Sequence, residues 1–221
     1  ASDVYKRQDL ALAVFHFQYA HNPLYRQYAD QIGRAASRVK RCADIPFLPI
    51  SFFKSHTVKT GEWTPAMVFE SSTTTGNTPS RHFVKEAGLY EESFLKGFQD
   101  VYGDPRDWCI IGLLPSYLER KHSSLVYMVD HLMRLSQVGE SGFYLYDHEK
   151  LGRTLEALEQ RGQKTLLFGV TFALIDFAHD HPLDLRHTVI VETGGMKGRK
   201  EDLTRSQVHE RLTRAFGSPV I

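Results

Sequence analysis

The segment WCIIGLL at residues 108–114 is apolar along its whole length and is too short for an ordinary helix, which is typical of a buried strand. Three more short apolar segments follow it: GFYLY at 142–146, TLLF at 165–168 and TVIV at 188–191. Strands that are apolar on both faces are typical of a parallel sheet, because helices cover both of its sides. The repetition therefore predicts an α/β fold with a mainly parallel sheet flanked by helices.

Amphipathic helical patterns alternate with these strands, near 89–102, 122–136, 148–161, 171–179 and 205–216. Their ends carry the residues expected of helix caps. Asp147 predicts the start of one helix and Gly162 its end. Thr204 and Gln207 have the spacing of a capping box, and Gly217 predicts where that last helix stops.

The first part of the chain has a different pattern. Asp9 predicts the cap of a short helix through Tyr19, and Asn22-Pro23 predicts the start of a second helix whose apolar face extends to Val39. Residues 1–8 fit no period, so we leave them as an unassigned leader that need not be native. The two prolines of IPFLPISFFKS at 45–55 predict an irregular segment, and AMVF at 66–69 predicts a short strand.

Composition excludes several classes of protein. Of the 221 residues, 42% are hydrophobic and 24% charged, which excludes collagen, coiled coils and disordered chains. A net charge of +1 gives no general electrostatic reason to bind nucleic acid or an anionic membrane. The longest apolar stretch, at 165–178, contains Asp176 and is too short to span a bilayer of about 30 Å. Cys42 and Cys109 fall in packing positions and indicate a reducing compartment, so we expect a cytoplasmic location.

The segment SSTTTGNTPSR at 71–81 carries the most chemistry. It has five consecutive hydroxyl side chains, then Gly76, and it ends in Arg81. Such a loop can turn backbone N–H groups toward phosphate oxygens, with an arginine adding charge-assisted hydrogen bonds. It lacks the Gly-Lys-Ser/Thr of P-loop enzymes, and its composition also fits a solvated connection. This loop and the Glu192-Thr193-Gly194-Gly195 turn both follow predicted strands, where parallel sheets bind ligands.

The stretch FESSTTTGNTPSRH at 69–82 resembles the signature loop of adenylate-forming enzymes, which usually has the form Ser-Gly-Thr-Thr-Gly-x-Pro-Lys. It is more narrowly similar to the acyl-protein synthetases, the fatty-acid-activating component of bacterial luminescence reductases, whose loop ends in Pro-Ser-Arg-His. Five other stretches resemble the same branch: FQYAHNPLYRQY (17–28), IPFLPISFFKSHTV (45–58), LLPSYLERKHSSLVYMVDHLM (113–133), FGVTFALIDFA (168–178) and VIVETGGMKGRKEDLTRSQVHERL (189–212). The resemblance implies that residues 9–221 are part of the large N-terminal adenylation domain.

The resemblance implies ATP-dependent conversion of a carboxylic acid, expected to be a fatty acid, into an acyl-adenylate. Transfer to a protein thiol would follow, with a reductase or carrier protein as the acceptor and with ATP and Mg²⁺ as the cofactors. The phosphate ligands implied are Ser71, Ser72, Thr73, Thr74, Thr75 and Gly76. Those implied at adenine and beside it are Gly194, Gly195, Met196 and Lys197. Thr75, Arg81 and His82 are the implied catalytic residues and Tyr117 the implied substrate contact.

Each of these roles has a structural alternative. Gly194-Gly195 can be a plain turn, Tyr117 a residue of the core or its rim, and His82 a hydrogen-bonded structural histidine. No set of residues has the spacing of a metal site. An aryl- or acyl-CoA ligase and a non-catalytic nucleotide-binding domain are the alternative functions.

The sequence departs from the family in two ways. Thr73 stands where the superfamily usually has Gly, and Ser80-Arg81 stands where it has the loop Lys. The family's Tyr-Gly-x-Thr-Glu motif, whose Glu helps to hold Mg²⁺, and its small C-terminal domain do not occur before the sequence stops at Ile221. We therefore expect a fragment that is itself inactive.

Overall fold

The computed structural model describes residues 2–71, 78–114, 122–194, 203–218 and 220–221. The chain divides into two compact units, Ala1–Ala87 and Gly88–Ile221, and each is described by itself. The prediction of one adenylation domain over 9–221 stays a prediction. Within the described ranges, no helix has both the length and the apolar character needed to cross a membrane.

The first unit is helical at its start and ends in a pair of strands. Its elements are α1 (Ser2–His21), α2 (Pro23–Gln31), a 3₁₀ turn (Cys42–Asp44), α3 (Phe52–Ser55), β1 (Met67–Glu70) and β2 (Arg81–Val84). The two strands pair antiparallel, with Met67 opposite Val84 and Glu70 opposite Arg81. The strand predicted at 66–69 is therefore confirmed to within one residue, whereas β2 was not predicted.

The sequence located the start of α2 correctly but not the ends of the first two helices. Asn22 caps α2, since its Oδ1 accepts a hydrogen bond from the Tyr25 N–H at 3.1 Å. Asp9 lies inside α1 and does not cap it, because the helix already begins at Ser2 and includes most of the predicted leader. The second helix ends at Gln31, well before Val39, because Gly33 adopts a left-handed φ of 71° and turns the chain.

The second unit alternates helices and strands. Its elements are α4 (Ala87–Tyr102), a 3₁₀ turn (Pro105–Asp107), β3 (Cys109–Leu113), α5 (Ser124–Leu135), β4 (Gly142–Phe143), α6 (His148–Gln160), β5 (Thr165–Gly169), α7 (Thr171–Asp180), β6 (Thr188–Glu192) and α8 (Arg205–Phe216). The four strands form one parallel sheet in the order β4-β3-β5-β6. The predicted α/β class with a parallel sheet flanked by helices is confirmed.

The predicted caps of the second unit hold in the structure. Asp147 accepts a hydrogen bond from the Lys150 N–H at 3.0 Å at the start of α6. Thr204 and Gln207 form the complete capping box of α8, and Gly217 ends that helix with a left-handed φ of 65°. These local hydrogen bonds satisfy backbone groups that a helix end leaves without partners, which is why sequence alone located them.

The core of the second unit lies on both faces of its sheet. Side chains alternate along β3, so Cys109, Ile111 and Leu113 enter one cluster and Ile110 enters the other. The first cluster packs α6, α7 and α8 against the sheet, and the second packs α4 and α5 against it. Burial of both faces explains why the strands have no polar alternation.

The two edges of this sheet are short or covered. The edge strand β4 has two residues. Along the outer side of β6, the last residues of the sequence continue the ladder: Ile221 N–H donates to the Ile190 carbonyl at 3.0 Å, and Glu192 N–H donates to the Ile221 carbonyl at 2.9 Å. Val220 forms a parallel bridge with Ile190.

Cys109 gives a prediction about alkaline pH. Its side chain is fully buried, and burial raises the pKa of the thiol from 9.0 to about 11. Between these pH values the unfolded chain loses the thiol proton and the folded chain keeps it, so the free energy of unfolding should fall as pH rises, by roughly 3 kcal/mol from this thiol. Partly buried tyrosines whose pKa values are also raised add to the fall, so urea unfolding at several pH values should show a steeper fall in the wild type than in Cys109→Ala. Parallel pH curves for the two proteins would contradict the assignment.

Candidate functional site

The hydroxyl-rich loop is the connection between β1 and β2. Its base is closed by two hydrogen bonds: Ser71 N–H donates to the Ser80 carbonyl at 2.9 Å, and Ser80 N–H donates to Ser71 Oγ at 3.0 Å. Ser71 thus has a structural contact at the mouth of the loop. The other predicted phosphate ligands, Ser72, Thr73, Thr74, Thr75 and Gly76, lie outside the described residues.

The loop leaves an antiparallel pair and not the parallel sheet. We expected it at the carboxyl edge of the parallel sheet, and that expectation is wrong because, in the part of the chain that the structure describes, β1 pairs with β2 in a separate two-stranded sheet. The segment RHFV at 81–84 supplies the second strand. These four residues do not alternate strictly between polar and apolar, so their pattern did not predict a strand.

Arg81 and His82 point to opposite faces of this hairpin, because successive side chains of a strand alternate. The Arg81 guanidinium carbon lies 5.7 Å from the centre of the Phe83 ring, a cation–π contact on one face. The His82 ring stacks on Phe53 at 6.5 Å on the other face. A ligand lying against one face of the strand pair would meet only one of these two side chains.

The second candidate region is the carboxyl edge of β5 and β6, where Glu192 ends β6. Only 9% of the Glu192 side chain is exposed. Its Oε1 accepts a 2.7 Å hydrogen bond from the Gly194 N–H and a second, short one from Thr171 Oγ1. Thr171 is the first residue of α7, so the carboxylate lies at the positive end of that helix, where the helix dipole favours an anion.

These contacts fix the peptide of Gly194 on two sides. Its N–H is held by Glu192, and its carbonyl accepts a 3.2 Å hydrogen bond from the Thr171 N–H. Thr193 secures the same turn, because its N–H and its Oγ1 both donate to the Gly169 carbonyl, each at 3.0 Å. The turn after β6 is therefore tied to the end of β5 and the start of α7.

Gly194 is the position where this turn needs a glycine. Its φ is 79°, a conformation that residues with a Cβ rarely adopt, and no heavy atom of the described residues lies within 4 Å of where its Cβ would be. Among the described residues, the turn thus presents hydrogen-bonded backbone that no side chain covers at this position. A flat ring can approach such a surface closely.

His209 brings a third element to this region. Its Nε2 lies 3.9 Å from Glu192 Oε2, and 25% of its side chain is exposed. The carboxylate therefore has hydrogen-bonding partners on one oxygen and an ionisable ring beside the other. When the ring is protonated, the two form an ion pair between β6 and α8.

Sequence reasoning missed Glu192, Thr171 and His209 as a group. An acidic residue at the end of the apolar segment VIVE was a usable signal, because a buried carboxylate requires partners. Thr171 and His209 carry no such signal. They lie far from Glu192 in sequence, and only the packing of α7 and α8 brings them to it.

Of the remaining predicted site residues, Tyr117, Gly195, Met196 and Lys197 lie outside the described residues. In the part of the chain that the structure describes, no group of three or more His, Cys, Asp or Glu side chains could hold a metal ion.

Comparisons with known proteins leave the family as a prediction. No protein-family model, no curated protein and no solved structure matches this chain.

Proposed function

We propose that the chain contributes to an ATP-dependent enzyme that activates a carboxylic acid, most simply a fatty acid, as an acyl-adenylate and passes the acyl group to a protein thiol. The observation that carries the proposal is the Gly194 turn. Its N–H and its carbonyl are both hydrogen-bonded, no heavy atom of the described residues lies within 4 Å of its Cβ position, and the turn follows the carboxyl end of a strand of the parallel sheet. That edge is where folds of this class bind their ligands.

The adenine base is assigned to the Gly194 turn. A purine needs a flat apolar surface and a backbone close enough to read its edge, and a glycine without Cβ provides both. The network of Glu192 and Thr171 holds the turn before the ligand arrives, so little conformational freedom is lost on binding.

For the first unit, taken by itself, we propose that the 71–80 loop binds phosphate groups. Successive backbone N–H groups and hydroxyls satisfy phosphate oxygens, and Arg81 at the start of β2 adds a positive charge on one face of the hairpin. Mg²⁺ would enter with ATP and neutralise part of the phosphate charge.

The reaction joins two anions, and this sets what the residues have to do. A carboxylate oxygen attacks the α-phosphorus, the O–P bond forms, the bond between the α-phosphorus and its bridging oxygen breaks, and pyrophosphate leaves with the electron pair. Hydrogen-bond donors placed where negative charge builds up on the phosphoryl oxygens stabilise the transition state and lower the activation barrier. Backbone groups, Arg81 and the hydroxyls are of that kind.

Binding by the chain itself is the first test. Calorimetry should compare Mg·ATP with adenosine for the wild type and for the triple variant Thr75→Ala/Gly76→Ala/Arg81→Ala. We expect ATP affinity to fall by about tenfold or more, because charge-assisted hydrogen bonds are lost, while adenosine affinity stays the same. Lys85→Ala, two residues beyond the cation–π partner Phe83, is the matched charge control. Unchanged ATP binding in the triple variant would refute the role of the loop.

Pyrophosphate exchange with a panel of fatty and aryl acids tests the chemistry. Acid-dependent exchange supports adenylation, and a radiolabelled acyl group then reports whether a protein thiol or coenzyme A receives it. Tight ATP binding without exchange for any acid would indicate a non-catalytic nucleotide-binding domain.

A further inference from the structure

A short apolar loop projects from the first unit. In the segment FLPI at residues 47–50, the Phe47 side chain is 84% exposed and the Ile50 side chain 75% exposed. Both values are among the highest for large hydrophobic residues in the described chain. Two such side chains three residues apart form a small apolar tip, which is costly to leave in water. We call residues 47–50 the apolar tip.

The apolar tip is held outward by contacts at both of its ends. On the N-terminal side, Pro46 is buried and its carbonyl accepts a 2.7 Å hydrogen bond from the Tyr25 hydroxyl. On the C-terminal side, the Phe52 ring packs edge-on against Tyr28 at 5.6 Å. Pro46 and Pro49 restrict the backbone between these anchors. The exposure of Phe47 and Ile50 is therefore a feature of a fixed loop.

Basic side chains precede the apolar tip. Arg34, Arg38, Lys40 and Arg41 occur within eight residues, and Asp44 is the acidic residue that follows them before the tip. Asp44 lies 3.4 Å from Arg41 and 3.9 Å from Arg34, so these two arginines meet at the 3₁₀ turn that leads into Pro46. The Lys40 backbone N–H also donates to Asp44 at 3.3 Å, and the Arg38 guanidinium donates to the Gly33 carbonyl at 3.5 Å. Among the described residues, the Asp44 carboxylate forms its ion pairs with Arg34 and Arg41 and not with the side-chain charges of Arg38 and Lys40. The whole chain has a net charge of only +1, so this basic surplus is local.

We infer that the apolar tip and the adjacent basic side chains dock the first unit onto the surface of an anionic lipid bilayer. Phe47 and Ile50 would enter the boundary between headgroups and acyl chains, and the Arg and Lys side chains would meet lipid phosphates. A bilayer fits better than a protein partner because a fluid interface accepts two exposed apolar side chains without a matching cavity. The inference concerns a surface remote in sequence from the Gly194 turn and goes beyond the proposed nucleotide chemistry.

Vesicle co-sedimentation of the full chain tests the inference. The vesicles are phosphatidylcholine alone and phosphatidylcholine in which about a third of the lipid is phosphatidylglycerol. We expect binding to the anionic vesicles that disappears at about 1 M NaCl, where the Debye length is about 3 Å. Phe47→Ser/Ile50→Ser should reduce the partition coefficient by roughly tenfold or more, from the loss of buried apolar area. Arg38→Glu/Lys40→Glu should reduce it by about 25-fold or more.

Matched controls separate a specific surface from a general loss of hydrophobicity or charge. Leu89→Ser changes a side chain that is 75% exposed, the same as Ile50, but lies in α4. Arg153→Glu/Lys96→Glu gives the same charge change on helices of the second unit. Both control proteins should bind anionic vesicles as the wild type does, and circular dichroism should show that every variant is folded.

Three results would overturn the inference. The first is equal binding to neutral and anionic vesicles, and the second is equal losses in the control and tip variants. The third is a wild type that binds neither vesicle type and self-associates in sedimentation velocity through Phe47 and Ile50. That result would make a second copy of the chain the occupant of this surface.

Discussion

Phe177→Ala should lower the free energy of unfolding of the second unit by about 3–5 kcal/mol, because the substitution leaves a cavity in a closely packed core. Phe177 is fully buried on α7 and stacks on Phe216 at 5.8 Å and on His181 at 5.3 Å. It thereby joins α7 to α8 within the cluster that covers that side of the sheet. Urea unfolding followed by circular dichroism measures the loss.

Phe17→Ala is the matched control for this prediction. Its side chain is 55% exposed on α1, so its removal creates no cavity and should change the free energy of unfolding by less than about 1 kcal/mol. The loss in the free energy of unfolding for Phe177→Leu should lie between those of Phe177→Ala and Phe17→Ala, because leucine fills part of the cavity. A loss below about 1 kcal/mol for Phe177→Ala would show that the core around α7 closes over the gap.

Glu192→Ala should cost about 2–3 kcal/mol of stability and should also weaken adenosine binding. The substitution removes the acceptor of the Gly194 N–H and of Thr171 Oγ1, and a buried donor left without a partner is expensive. Without that acceptor the turn after β6 loses one of its two fixed sides. Urea unfolding measures the first effect and calorimetry with adenosine measures the second.

Glu192→Gln is the discriminating comparison. Its amide oxygen can replace Oε1 toward both donors, and its NH₂ can face His209 Nε2, so we expect a stability loss below about 1 kcal/mol and nearly unchanged adenosine binding. If Glu192→Gln and Glu192→Ala lower stability and adenosine binding equally, the negative charge of Glu192 is what the turn requires and not its hydrogen bonds. If neither changes ligand binding while both destabilise, Glu192 supports the fold alone and the nucleotide proposal loses its main support.

Much of the second unit could be predicted from sequence because its signals are local. Asp147, Thr204 and Gly217 mark helix ends through hydrogen bonds and backbone angles within a few residues, and those ends are found where expected. The strands from β3 onward were recognisable because both of their faces are buried. For the same reason the parallel sheet followed from the alternation of elements.

The first unit was harder, and the reasons are physical. The amphipathic pattern of α2 continues past its end, since Val39 is buried although it lies outside the helix, and one left-handed glycine ends the helix earlier. The hairpin depends on backbone pairing of β1 with β2 across the 71–80 loop, and no local sequence pattern predicts that pairing. The Glu192 network likewise depends on three elements that meet only after packing.

The covering of β6 by Val220 and Ile221 has a consequence for behaviour in solution. An open parallel edge presents a row of unpaired N–H and C=O groups that another molecule can use as a template for aggregation. Here Ile221 occupies the backbone groups of Ile190 and Glu192, and at the opposite side β4 is only two residues long. Val220 and Ile221 therefore protect this edge of the sheet against intermolecular pairing, and substitutions that break their backbone hydrogen bonds would put solubility at risk before they altered the core.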